Sequence, residues 1–431
     1  MDTKEIEQQL LSRPLPDLLP ADEGWLLPHY DGLSIANLPA TVARLLGSDL
    51  PGALPPLPTE LWYDWQAGLQ RVVLVVLDAW GYRLLQKMWA AGEGHSFAAL
   101  TEAGRLIPLT SVFPSTTDAA LVSLSTGRPP AEHGWLAYTM YLREWGMVIN
   151  AIVLCPIWTH QSDLLVEWGM EAEQLVTAPT LAQQLNADGI ASGAIISAFF
   201  KKSGFTRMLY RGVKEDQLHG HFHSSDLWAR LRHLLAATRG QKAFISAYWS
   251  GLDTIAHAYG PFTDPWETEF RHVNYGLGDF LQHLPAEDRE GTLLLITADH
   301  GQIYIPQDQV VTAAKEPELN RHLWAPITGE SRAAFIYPRP GRKETLLHYL
   351  DEAYPGWFEA VDSVQALEAG LMGQPIADET YSRAGEILIL PRGNHALQHK
   401  PSTLPLIGRH GGLTPDEMLV PLIGVRLEAL S

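Results

Sequence analysis

The chain has 431 residues, 46% hydrophobic and 19% charged, with 31 basic against 49 acidic side chains and a formal net charge of −18. That composition belongs to a soluble globular protein with a large core and excludes disorder over most of the length. An acidic average surface also excludes long nucleic acid, whose binding needs Lys and Arg to displace counterions, but leaves small anions allowed, because these respond to local charges and metals. Cys155 is the only cysteine. It rules out an intrachain disulfide and a thiolate zinc cage and reads as a small buried residue. The first residues carry no basic region and no long apolar run, so neither a signal peptide nor a membrane partner is expected, and the cytoplasm is the default location.

Residues 1–70 are rich in Pro and Leu, with one helical stretch near IANLPATVARLLG, and read as a wrapping lead-in. From Arg71 the pattern changes to short apolar, β-branched runs: RVVLVVLD, NAIVLC, SGAIISAF, KAFISAYW and GTLLLITAD. Segments long enough for helices separate them. Runs without polar alternation fit strands covered on both faces, which predicts an α/β three-layer sandwich with a mostly parallel central sheet, its core spanning 71–306. Residues 307–399 loosen into RAAFIYPRPG, ETLLHYLDEAYPGWF, DSVQALEAGLMG and AGEILILPRG, a small α+β insertion expected to overhang the crevice as a cap. Residues 400–431 return to the core with a last apolar strand.

Three of the runs end at an acidic residue: Asp78, Asp253 and Asp299. An Asp at a strand end is often only a helix cap, yet ligands in open α/β sheets sit beyond the carboxyl ends of strands, where these three can meet. Their company favours the second reading. Asp253 precedes His257 by one helical turn, Asp299 precedes His300 directly, and His410 lies between glycines in GRHGGLTP. Imidazole with carboxylate suits zinc or manganese. The segment FPSTTDAALVSLSTGRPPAEHG opens a helix on Thr116 or Thr117 and stops it at Gly127. A threonine hydroxyl at a helix N-terminus can cap the helix, or attack a phosphorus bound there if a metal lowers its pKa.

Five motifs, VVLDAWG, FPSTTDAALVSLSTGRPPAEHG, YWSGLDTIAHAYGP, ITADHGQ and RHGGLTPDEMLVPL, together resemble the alkaline phosphatase superfamily, in particular its type I phosphodiesterase and nucleotide pyrophosphatase branch, from about Arg71 to Gly424. The resemblance implies that Asp78, Asp299 and His300, with the nucleophile oxygen, hold one divalent metal, and that Asp253, His257 and His410 hold another. In the family the nucleophile stands nine residues before the Thr of the helix-ending Thr-Gly; Thr126 minus nine is Thr117, with Thr116 as the alternative. The implied activity is hydrolysis of phosphodiester or pyrophosphate bonds of small nucleotide-like substrates through a phospho-threonine, assisted by two metals, Zn²⁺ or Mn²⁺. The same metal site also serves phosphomonoesterases, and a catalytically idle binding relative is the rival from another class. A sulfatase-like reading is weaker because Cys155 lies away from the nucleophile. The polar side chain, often Asn, that the branch offers to a non-bridging oxygen has no evident match. Asp118 complements the helix N-terminus but would repel a dianionic phosphate, which favours a monoanionic diester. Tyr138, Tyr141 and Trp158 are candidate pocket walls, Arg128, Lys201 and Lys202 candidate phosphate contacts, and His133 is expected to fix the turn after the helix. Composition does not indicate an oligomeric state.

Overall fold

The computed structural model describes residues 2–21, 24–401 and 405–430. The apolar runs do become strands: β1 (Arg71–Leu77), β2 (Arg105–Thr110), β3 (Ala191–Ser197), β4 (Leu218–His221), β5 (Ala243–Trp249), β6 (Thr292–Thr297) and β7 (Leu419–Arg426). They form one sheet in the order β2-β7-β6-β1-β5-β3-β4. β1 pairs in parallel with β5 and β6, and β3 with β4 and β5, while β7 runs antiparallel to both β2 and β6. Every residue of β1 is buried, as expected of a central strand with helices on both sides. Helix Ser224–Ala237 packs on β3, β4 and β5, and helix His95–Ala103 on β2 and β7. The fold is thus a three-layer α/β sandwich of the expected class.

One run departs from expectation. NAIVLC is not a strand of this sheet: it spans the end of a strand at Met147–Asn150, a turn, and a two-residue strand at Cys155–Pro156. The Asn150 carboxamide oxygen accepts the Ile152 and Val153 amides, each at 3.1 Å, and this local turn breaks an otherwise β-branched run. Both short strands belong to a second, antiparallel sheet of seven strands, which runs from Phe358–Asp362 through Ile387–Pro391, Ala333–Ile336 and Thr328–Glu330 to Thr139–Leu142 and this pair. The second layer therefore draws on two distant stretches of chain. It has its own small core around Leu319, Leu346, Ile387 and Leu397.

The N-terminal segment contributes helix Thr3–Leu11, packed on β2, and helix Leu38–Leu45, packed on the helix α1 (Thr117–Thr126). Gly127 ends α1 in the left-handed conformation at φ 69°, as its position predicts.

Candidate active site

Strand direction explains why distant residues meet. β6, β1 and β5 are adjacent and parallel, so the residues that follow them, Asp299, Asp78 and Asp253, all emerge at one crest. β2 points the same way and delivers Thr117 there. β7 is antiparallel, so the segment leading into it, with His410, starts from that crest. Asp253 and His257 lie on helix α2 (Gly251–Tyr259), one turn apart on a shared face, with His257 Nε2 3.2 Å from Asp253 Oδ1.

Asp78, Asp299 and His300 are all but fully buried and draw their ligand atoms together: His300 Nε2 lies 3.5 Å from Asp78 Oδ1 and 3.7 Å from Asp299 Oδ2. Thr117 Oγ1 is 3.1 Å from the same nitrogen. Each carboxylate is anchored by its other oxygen. Asp78 Oδ2 accepts from the Tyr248 hydroxyl, and Asp299 Oδ1 accepts the amides of Ala79 at 3.1 Å and His300 at 3.0 Å. Ala79 holds φ at 58°, a strained setting for a residue with a Cβ. Asp78 Oδ1 and Asp299 Oδ2, the oxygens that face His300, are buried without any hydrogen-bond partner. Two orphaned carboxylate oxygens beside an imidazole are costly unless a cation sits among them, and the donor set fits a borderline metal such as zinc.

The second cluster is more open. Asp253 Oδ1 lies 3.8 Å from His410 Nε2, and Asp253, His300 and His410 bring ligand atoms into mutual reach, with His257 at their edge. His300 is thus shared between the clusters, and its ring stacks on His410 at 3.8 Å between centroids. All three imidazoles are oriented alike. Nδ1 of His257 donates to Gly408 O, that of His300 to Gly301 O and that of His410 to Ser115 O, at 2.8, 2.9 and 3.0 Å, which leaves each Nε2 for the site. Such second contacts fix the tautomer of metal-bound histidine. Gln302, unforeseen from sequence, donates to Asp253 Oδ1 at 3.1 Å.

Burial, aided by the charges of Asp299 and Asp253, raises the Asp78 acid well above the usual carboxylate range. Burial likewise raises Asp253, against the opposing pull of His257 and His300. His410 is held well below its usual value by burial and by the other two imidazoles.

Thr116 and Thr117 are now distinguishable. Thr116 is the N-cap residue, but its hydroxyl accepts no helix amide and donates to Glu330 Oε1 at 2.8 Å, while Thr117 faces His300. Glu330 ends a strand of the second sheet and also accepts the Tyr138 amide at 3.0 Å. Sequence reading missed it, since a lone Glu in ITGES carries no motif. Asp118 does not face the substrate as expected. It is fully buried and accepts the Ala119 amide, and burial together with the charge of Glu330 pushes its acid up to about 8. The repulsion of a dianion inferred for it is therefore withdrawn.

Arg128 stands at the far end of α1, where its guanidinium pairs with Glu132 and donates to Pro51 O, so it cannot meet phosphate at Thr117. Tyr141 packs edge-on against Trp324 and Tyr337 within the second layer, away from the crevice. Tyr138 and Trp158 are exposed and line a cavity beside Glu330. Lys201 and Lys202 fall in the turn after β3, and His133 bridges Ser123 Oγ and the Trp135 amide and so fixes the turn after α1.

Solved structures share this architecture. Murine ectonucleotide pyrophosphatase/phosphodiesterase 5 is 18% identical over 83% of this chain and 88% of its own, with a TM-score of 0.62. The human counterpart is 16% identical over the same shares, with a TM-score of 0.61. Phosphonoacetate hydrolase from Sinorhizobium meliloti is 19% identical over 82% and 90%, with a TM-score of 0.60. At these identities the likeness concerns the fold. No curated protein sequence matches the chain. The family model described as type I phosphodiesterase / nucleotide pyrophosphatase matches residues 72–413, which holds every one of the crest ligands, and the chain therefore belongs to that family of phosphoester hydrolases within the alkaline phosphatase superfamily.

Proposed function

We propose that the chain hydrolyses phosphodiester or pyrophosphate bonds of small nucleotide-like substrates in two displacements through a phospho-threonine on Thr117. The observation that carries this reading is the convergence of Thr117 Oγ1, His300 Nε2 and two partnerless carboxylate oxygens at one point of the crest. Asp78, Asp299, His300 and the Thr117 oxygen would hold one divalent cation, zinc or manganese, and Asp253, His257 and His410 the other. When bound, these cations supply Lewis acidity that lowers the pKa of a hydroxyl and of water and offsets phosphate charge. Thr117 Oγ1 attacks phosphorus, the P–O bond to the leaving group breaks, and water then cleaves the phospho-threonine. The Thr117 amide, at the start of a ten-residue helix, is available to a non-bridging oxygen. Three carboxylates and two dications leave about one positive charge for the phosphoester.

The murine relative has a structure with AMP bound, which supports the nucleotide-like substrate. A phosphomonoesterase is the second reading. Asp118 leaves it open, because that carboxyl is fully buried and accepts the Ala119 amide rather than facing the substrate. Nitrophenyl phosphate mono- and diesters, assayed side by side, decide between the two readings. Thr117→Ala is expected to abolish turnover while metal content stays at two per chain. Full activity in that variant, with loss in Thr116→Ala, would move the nucleophile by one residue; a wild-type protein that binds metal but turns over neither ester is the idle relative.

A further inference from the structure

A cavity of about 490 Å³ lies beside the nucleophile turn, and neither metal cluster uses it. Its wall includes Tyr138, Trp158, His160, Glu330, Lys400 and Arg409. Two bonds tie it to the reaction centre: Glu330 accepts from Thr116, the residue before the nucleophile, and Arg409 directly precedes His410. On a chain of net charge −18, this wall carries two permanent cations against a single carboxylate.

Arg409 is the informative member. Its side chain is only 2% exposed, Nε donates to Leu406 O at 3.2 Å, and Nη1 donates to Gln398 Oε1 at 3.1 Å. Nη2 has no hydrogen-bond partner among the described residues. Glu330 acts on it across the cavity by its charge but makes no hydrogen bond to it; its Oε1 accepts from Thr116 and Tyr138. A guanidinium fixed by two neutral acceptors, with Nη2 left for the cavity it lines, presents a pre-positioned planar fork that suits carboxylate or phosphate. Lys400 and His160 stand on the same wall at exposed positions and add field at the mouth.

We propose that this cavity is a subsite for a second anionic group of the substrate, a carboxylate or a further phosphate, carried on an arm beyond the reacting phosphorus. The proposal rests on the hydrolase reading and narrows it to substrates with two anions. The exposed rings of Tyr138 and Trp158 offer apolar faces to the spacer between them.

Three symmetric probes test it with the zinc-loaded full chain: diphenyl phosphate, bis(4-carboxyphenyl) phosphate and symmetric diphenyl pyrophosphate. Binding is measured by calorimetry on Thr117→Ala, and turnover with the wild type by release of phenol, 4-hydroxybenzoate and phenyl phosphate, respectively. One of the two probes that carry anions beyond the reacting phosphate is expected to bind at least about tenfold more tightly than diphenyl phosphate, and which of the two does so identifies the anion. Arg409→Gln should remove that preference, and Lys400→Ala combined with His160→Ala should reduce it and its salt dependence; the second variant stands clear of His410 should the first lose metal. Equal binding of the three probes overturns the subsite even if all are hydrolysed. A binding preference without turnover of any probe keeps the subsite and overturns the hydrolase reading.

Discussion

The two candidate metal clusters are built from opposite materials. Asp78, Asp299 and His300 are 3%, 0% and 0% exposed and leave the ends of two central strands within three residues, so the sheet itself sets their positions. Asp253, His257 and His410 are 13%, 24% and 8% exposed and come from a helix and a loop, held by single bonds to Gly408 O, Ser115 O and Gln302. The inner cluster is dry, and its carboxylates have nothing to turn to when a cation leaves. The outer cluster borders solvent, so water can replace a lost ligand. On the proposed reading, the contrast would suit a division of labour in which the inner residues hold a cation firmly beside Thr117 and the outer residues hold one that exchanges more readily.

The largest effect expected from this contrast is in the inner cluster. Asp299→Asn keeps an acceptor for the Ala79 and His300 amides, so the fold should survive, but the charge facing His300 is gone. Turnover should fall by about 10³-fold or more, with loss of the inner metal. Asp253→Asn should cost less, about 10²-fold, and be partly rescued by added metal. Equal losses in both variants, read by kcat/KM and metal analysis, would erase the distinction between the clusters.

Chelation sharpens the same comparison. A chelator titration should remove metal in two stages, the outer ion first, with activity lost in the first stage and a larger fall in thermal stability in the second. Orphaned buried carboxylates are worth roughly 3–5 kcal/mol when their counter-charge is removed. A single step that strips both ions together would show that the shared His300 couples the sites more strongly than their separate surroundings divide them.

Most of the inner cluster was legible in the sequence because its residues follow directly on strand ends, and strands announce themselves. RVVLVVLD and GTLLLITAD give both the element and the residue at its end. The Asp253 and His257 pair was legible through helical spacing, and His410 only through the order of motifs. What escaped included Gln302 and the contribution of the second sheet. Glu330 reaches the nucleophile turn from over two hundred residues away, and nothing local marks it. NAIVLC misled because apolar content does not reveal that the Asn150 side chain closes a turn inside the run. Arg128 and Asp118 were read by nearness in sequence to Thr117, but one lies at the far end of a helix and the other points into the core.

A smaller effect is expected at Gln302, which touches only the outer cluster. Removing an orienting contact to a metal ligand typically weakens metal affinity by about 10- to 100-fold. Gln302→Ala should therefore raise the metal concentration needed for half-maximal activity by that factor and leave kcat at saturating metal within about threefold. A loss of both ions would mean that the side chain supports His300 as well.

The smallest effect concerns pH, and its size differs between loaded and metal-free protein. Asp78 and Asp253 have folded-state acids raised above their ordinary values, so above the usual carboxylate range the folded chain binds protons that the unfolded chain has released. Stability must then fall as pH rises through that window. His410 acts in the opposite sense. Its folded value is lowered from 6.5, so it contributes stability that grows as pH approaches 6.5 and adds no slope well above it. Below pH 6.5 the two effects oppose each other; well above it His410 adds nothing. Metal-free protein should thus lose more stability than loaded protein as pH rises above the usual carboxylate range, because bound cations have already displaced those protons from Asp78 and Asp253. Urea midpoints across a series of pH values, with and without zinc, measure the difference. A metal-free midpoint that rises over this range would mean that Asp78 is already ionised in the empty fold, and that the inner cluster is less dry than its orphaned oxygens indicate.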